Sequence, residues 1–162
     1  MPTIAQIKEL EVTETPLLLF ECALPSGIVE RWSTHQVQAG GQSYAARVLR
    51  HDLFEHTAAA EDGIDSLSKV SITLANADSY FSQLTPITGW KGSKLTARFV
   101  FFDLAGDVEA SESVVVFRGT ANPPEEITET GLRLSFLNRM GLQRVLLPEV
   151  RIQRRCPWTF PS

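Results

Sequence analysis

Lys94-Leu95-Thr96-Ala97-Arg98-Phe99-Val100-Phe101-Phe102-Asp103-Leu104 decides the fold class. The stretch is strand-sized, and its aromatic and β-branched run from Phe99 to Phe102 reads as a strand buried on both faces. Ala105-Gly106-Asp107 then signals a turn. Glu112 to Arg118, with Val114, Val115, Val116 and Phe117, returns as the second arm of a hairpin. Upstream, Gly89-Trp90-Lys91-Gly92 ends the connection that leads into the strand.

The same pattern extends outward in both directions. Ser68 to Ala75 alternates, with Val70, Ile72 and Leu74 on one face and Ser71 and Thr73 on the other. Asp78 is placed to cap a short helix from Ser79 to Leu84. Pro16 to Leu24 reads as a strand, Pro25-Ser26-Gly27 as a turn and Ile28 to Trp32 as its return. Ala39-Gly40-Gly41, within Val37 to Gln42, marks a second tight turn. Gln42 to Leu49 follows as a strand, with Tyr44, Ala46 and Val48 on one face. His51 to Asp65 is polar, Ala-rich and loop-like. Gly119 to Pro124 reads as a break, since two prolines cannot both serve a central strand.

Glu125 to Glu129 and Leu132 to Leu137 form a last hairpin turning at Thr130-Gly131. Asn138 can cap a helix from Arg139 to Leu147, ended by Pro148, and Thr3 to Leu10 has the spacing of one or two helical turns. The sum is a mainly β chain of about seven to nine short strands and two or three short helices. It predicts an antiparallel β-barrel or sandwich, with no strand–helix–strand alternation. The pattern does not choose between the two. Residues 1–148 read as one β-rich domain and residues 149–162 as an extended basic C-terminal segment.

The 162 residues are 43% hydrophobic, which excludes a disordered chain and allows a core without staples. No apolar run reaches membrane-spanning length. Met1-Pro2-Thr3-Ile4-Ala5 lacks the basic start and apolar stretch of a signal peptide, which implies synthesis and folding in the cytoplasm. Cys22 and Cys156 make no disulfide framework, and Cys22, among strand-forming apolar residues, reads as a small buried hydrophobe. The net charge of −4 is unevenly spread, with −8 on residues 1–138 and +4 on residues 139–162. An acidic body argues against a nucleic-acid-binding surface. The basic end either docks on an acidic surface of a partner or another subunit, or is simply solvated.

Candidate chemistry is sparse. His51 and His56 are five residues apart, whereas a helical two-histidine site wants four, and His35 is remote. There is no nucleophile elbow, phosphate loop or dinucleotide fingerprint. Glu21, between Phe20 and Cys22, comes nearest to a carboxylate in an apolar run, yet in an alternating strand it can face solvent. Trp32, Trp90 and Trp158 are widely spaced and do not form a stacking row. The ending Arg154-Arg155-Cys156-Pro157-Trp158-Thr159-Phe160 places two aromatics beside a thiol and calls for a cover: the chain's own sheet, another subunit, or residues beyond Ser162. Arg151, Arg154, Arg155, Trp158 and Phe160 are therefore the interface candidates. No catalytic residue is expected.

Several pieces form one familiar pattern. They are the Leu17–Trp32 hairpin with its Pro25-Ser26-Gly27 turn, the Gly41–Leu49 segment, Gly89-Trp90-Lys91-Gly92, Phe117-Arg118-Gly119 followed by prolines, and above all Gln153-Arg154-Arg155-Cys156-Pro157-Trp158. Together they resemble the N-terminal part of the tail-tip, or baseplate hub, proteins of long-tailed phages and gene transfer agents, a group similar to the lambda-type minor tail protein L. The resemblance covers nearly the whole chain. It implies a virion structural protein related to the tail-tube fold, assembled in the bacterial cytoplasm and placed at the virion tail tip. The implied partners are further copies in a ring, a trimer in the usual case, with the distal tail protein, the tape measure protein and a central fibre or spike. No membrane partner and no sequence-specific nucleic acid are implied.

Longer members hold an iron-sulfur cluster through cysteines that follow this Cys-Pro-Trp position, which would make Cys156 the first ligand. This chain has no later cysteine, and one thiolate cannot hold a cluster that ordinarily takes four, so no cofactor is expected here. A small ligand- or carbohydrate-binding β-domain used in host attachment is the alternative, resting on the tryptophans. A wall-crossing hydrolase has no motif in its support.

Overall fold

A computed structural model describes residues 14–54 and 69–138. Within them lie eleven strands, β1 Thr15–Ala23, β2 Val29–Ser33, β3 Val37–Ala39, β4 Gln42–Ala46, β5 Val48–His51, β6 Lys69–Ala75, β7 Lys94–Asp103, β8 Val108–Glu109, β9 Val114–Ala121, β10 Glu126–Ile127 and β11 Gly131–Asn138, and one helix, α1 Tyr80–Thr88. The strands pair in the order β3-β4-β2-β1-β7-β9-β11-β6-β5, with β8 on β7 and β10 on β11. The path is open and not closed into a barrel.

The centre of the sheet follows from its composition. β1 and β7 pair antiparallel over nine residues, from Thr15 opposite Phe102 to Ala23 opposite Lys94. Both are apolar on both faces, so each face acquires its own cover. On one side, Leu18, Phe20 and Cys22 of β1 join Leu95 and Ala97 of β7, Ile72 and Leu74 of β6, Leu132, Leu134 and Phe136 of β11, and Phe81 of α1 in the main core. On the other side, Leu17 and Leu19 of β1 and Val100 and Phe102 of β7 are covered by Val37, Ala39 and Tyr44 of the β3–β4 hairpin. The expectation for Phe99–Phe102 holds: Val100 and Phe102 are fully buried under the hairpin, while Phe99 packs against the main core. Cys22 is buried as a free thiol, and burial pushes it up to about 12.

The turns form where the residues allow. Leu24 N–H donates to Ile28 O, and Gly27 closes the β1–β2 hairpin at φ 90°, a conformation that costs any other residue strain. Gly40 and Gly41, with φ 55° and 72°, make the β3–β4 turn in the same way. At the β7–β8 end, the buried Ser111 hydroxyl accepts Phe101 N–H at 3.0 Å and bridges the irregular step between β8 and β9.

Four features depart from the sequence reading. The sheet is mixed, since Trp32 and Ser33 of β2 pair in parallel with Ala45 and Ala46 of β4. The strand expected over Gln42–Leu49 is divided at Arg47. Its N–H donates to Ser33 O at 3.1 Å, while its carbonyl accepts Ala75 N–H at 2.7 Å, so one residue bonds to β2 on one side and β6 on the other. Tyr44 and Val48 consequently belong to different cores instead of one face, and Ala46 is exposed. The break expected from Gly119 begins only after Ala121, because Gly119, Thr120 and Ala121 still pair with β11. Finally, the helix runs to Thr88 with Pro86 inside it. Its first amides are met by Asp78 Oδ1, which accepts Tyr80 N–H, and by Asn76 Oδ1, which accepts Phe81 N–H. The expected elements Thr3–Leu10 and Arg139–Leu147, the boundary at 148/149 and most of the His51–Asp65 loop lie outside the described residues.

Candidate functional site

No catalytic constellation forms around the described side chains. Among the described residues no three His, Cys, Asp or Glu side chains come together as a metal site, and no helix is long and apolar enough to cross a membrane. His51 packs against the rings of Phe20 and Phe54, tilted to the first at 5.9 Å and edge-on to the second at 6.2 Å, while His56 lies outside the described residues. Glu21 does not stand free in solvent. Its Oε1 accepts the Tyr44 hydroxyl at 2.6 Å and lies 4.0 Å from Arg31 Nε. Burial, reinforced by that carboxylate, holds the Tyr44 phenol well above its usual range. The group thus fastens the β3–β4 hairpin to the sheet.

The tryptophans are equally structural. Trp32 and Trp90 are almost wholly buried, 6.1 Å apart, and Phe81 lies edge-on to both. Neither can stack on a sugar, which removes the structural motive for carbohydrate binding from both; Trp158 lies outside the described residues. The remaining interface candidates, Arg151, Arg154, Arg155 and Phe160, and the proposed ligand Cys156 lie there too.

At the seam between β4 and β5, Arg47 makes two bonds to Asp78, at 3.0 and 2.7 Å, and its guanidinium sits 4.7 Å from the Tyr80 ring centre and 5.2 Å from that of Phe81. This clamp holds α1 against the point where the chain changes pairing partners. An open groove of about 420 Å³ runs beside it, half of its lining residues alanines, and its two charges neutralise each other. Sequence reasoning missed Arg47 because its role depends on Ser33, Ala75 and Asp78 meeting in space.

The clamp is readable by titration. Hydrogen bonding to Arg47 lowers the Asp78 carboxyl from 3.8 to about 2. A depressed folded value means that the native chain binds fewer protons than the unfolded one, so this contribution is whole above pH 3.8 and is lost as pH falls through about 2. Urea denaturation across that window is expected to show a fall in stability that is shallower in Arg47→Met. Equal slopes in the two proteins would remove the pair from the account of acid unfolding.

The surface feature with consequences is the outer edge of the β7–β8–β9 arm. β11 pairs with β9 only from Gly119 to Ala121, so among the described strands none lies alongside Val114–Arg118 on that side. Leu104, Val108, Val114 and Val116 are exposed along it, at 40%, 55%, 48% and 42%. An unpaired edge bearing β-branched residues is a template for contact with another chain segment. The signal available in sequence was the valine run. Its exposure follows from where β11 stops pairing.

No family model matches the sequence, and no curated protein matches it. Among solved structures, the chain is similar to a protein chain in the virion of a native gene transfer agent particle, with a TM-score of 0.57 and 16% identity over 93% of this chain and 48% of that one. The chain therefore spans about half the length of the virion protein it matches. A likeness at this identity is one of fold: the mainly β fold of this chain is similar to that of a chain in a gene transfer agent virion.

Proposed function

We propose that the chain is a structural component of a phage-like virion, and specifically a hub-type domain of the tail tip. The observation that carries this reading is the agreement in fold, over nearly the whole chain, with a protein of a gene transfer agent particle. The exposed edge of β9, unpaired among the described strands, adds a surface suited to assembly. In the hub reading the chain joins further copies in a ring, a trimer in the usual case, between the tail tube and the tip. The tape measure protein, the distal tail protein and a central fibre or spike are its neighbours. No catalytic step belongs to it.

Co-expression with the genes that flank it, followed by particle imaging and mass measurement, tests this. A ring, or a stable complex with a tape measure or distal tail protein, is the expected result. A chain that stays monomeric at high concentration and binds no neighbour-encoded protein would overturn the hub assignment.

A further inference from the structure

The open edge of the β8–β9 arm is acidic as well as apolar. Glu109 and Glu112 lie on the arm itself, Asp103 and Asp107 at the β7–β8 turn and Glu14 two strands in, and no Lys or Arg occurs between Arg98 and Arg118. Thr15 pairs with Phe102, and Phe102 with Glu109, so the start of β1, the end of β7 and β8 bring these carboxylates to one end of the sheet. None of them forms an ion pair among the described residues. The chain itself supplies the complementary charge. Residues 139–162 carry five arginines against Glu149 alone, together with Trp158 and Phe160.

Position favours the same pairing. Asn138, the last described residue of β11, lies opposite Gly119 of β9, so the basic segment follows on directly from the foot of this edge. At about 3.3 Å per extended residue, the edge from Arg118, opposite Thr96, to Val108, opposite Asp103, is about 23 Å long, and the segment can reach about 80 Å. A tether of this kind gives an effective concentration on the order of millimolar, well above that of a second copy in dilute solution.

We propose that the basic segment 139–162 docks in cis along the acidic outer edge of β8 and β9, with Arg151, Arg154 and Arg155 held by the carboxylates of that edge. This holds independently of any virion role.

Amide hydrogen exchange of the full chain, in dilute solution at low salt, reads the docking at Val108–Arg118. Exchange there is expected to be at least about tenfold faster in the variant Arg151→Glu, Arg154→Glu, Arg155→Glu. The reciprocal variant Asp103→Lys, Glu109→Lys, Glu112→Lys should show the same loss, and the two together should restore protection. Retained protection of the β1–β7 amides shows that each variant is folded. Three results would overturn the proposal: edge exchange equal in the unaltered chain and the arginine variant, no restoration on combining the charge reversals, or protection that appears only as concentration rises together with a heavier particle. The last would assign the edge to a second copy.

Discussion

Trp32→Ala is expected to lower the unfolding free energy by about 3–5 kcal/mol, the range found when a large buried aromatic is truncated in a core that cannot collapse. Trp32 begins the buried end of β2, is 0% exposed, and sits 5.9 Å from Phe81 and 6.1 Å from Trp90. These three rings join the main sheet to α1 and to the connection that leads into β7. A domain of this size has a net stability of about 5–15 kcal/mol, so a loss of this size leaves a detectable unfolded population. The indole N–H of Trp32 has no hydrogen-bond partner among the described residues. Trp32→Phe therefore loses volume without orphaning an acceptor, and is expected to cost less than half as much as the alanine variant. Equilibrium urea denaturation followed by far-ultraviolet circular dichroism measures both. Equal losses in the two variants would mean that the N–H is bonded after all; an alanine loss below about 1 kcal/mol would mean that the cluster repacks around the gap.

The parts of this fold that could be read from sequence are those fixed by neighbours along the chain. The β1–β2 hairpin announces itself through Pro25-Ser26-Gly27 and two apolar arms, and β6 through the alternation of Val70, Ile72 and Leu74. β7 is marked by an apolar run too dense for a strand with one wet face, and it is covered on both sides. What could not be read depends on distant contacts. Nothing near Arg47 shows that β4 will pair with β2 in parallel and β5 with β6, because that switch is made by Ser33 and Ala75. Asn76 looks like an ordinary loop residue, yet it is fully buried. It donates to Ser82 Oγ and Thr128 O, both at 2.8 Å, and accepts from Phe81 N–H, tying α1 to the turn before β11. Glu21 was legible as a carboxylate in an apolar strand but not as the acceptor for Tyr44, 23 residues away. The candidate surface was half legible. The basic, aromatic ending and the valine run stand out in sequence, but that the valines form an open edge follows only from β11 pairing no further than Gly119.

Gly119→Val is the substitution expected to test that boundary most directly, with a cost of about 1–3 kcal/mol, the usual range for overpacking a filled site. Glycine in a strand ordinarily weakens it, and the break expected from the two following prolines begins at this position. Here it is required by close approach. A Cβ at Gly119 would lie 2.6 Å from Phe117 Cε1 and 2.9 Å from the carbonyl oxygen of Leu137. The Phe117 ring folds over the glycine and can swing aside only by leaving the core, where it is 8% exposed; the Leu137 oxygen belongs to the backbone of β11 and can retreat only if β9 and β11 separate. Those strands are joined by three residue pairs, Phe136–Ala121, Leu137–Thr120 and Asn138–Gly119, a short ladder that links β9 to β11 in the paired path, while Arg47 bonds β2 and β6 elsewhere. The substitution should therefore loosen one junction more than the rest, with hydrogen exchange accelerating at Gly119–Ala121 and Phe136–Asn138 while the β1–β7 ladder stays protected. Gly119→Ala adds the same Cβ without the two methyls and should fall between the wild type and valine. A valine variant as stable as the wild type would show that the strands part without cost, and the open edge of β9 would then extend through Ala121.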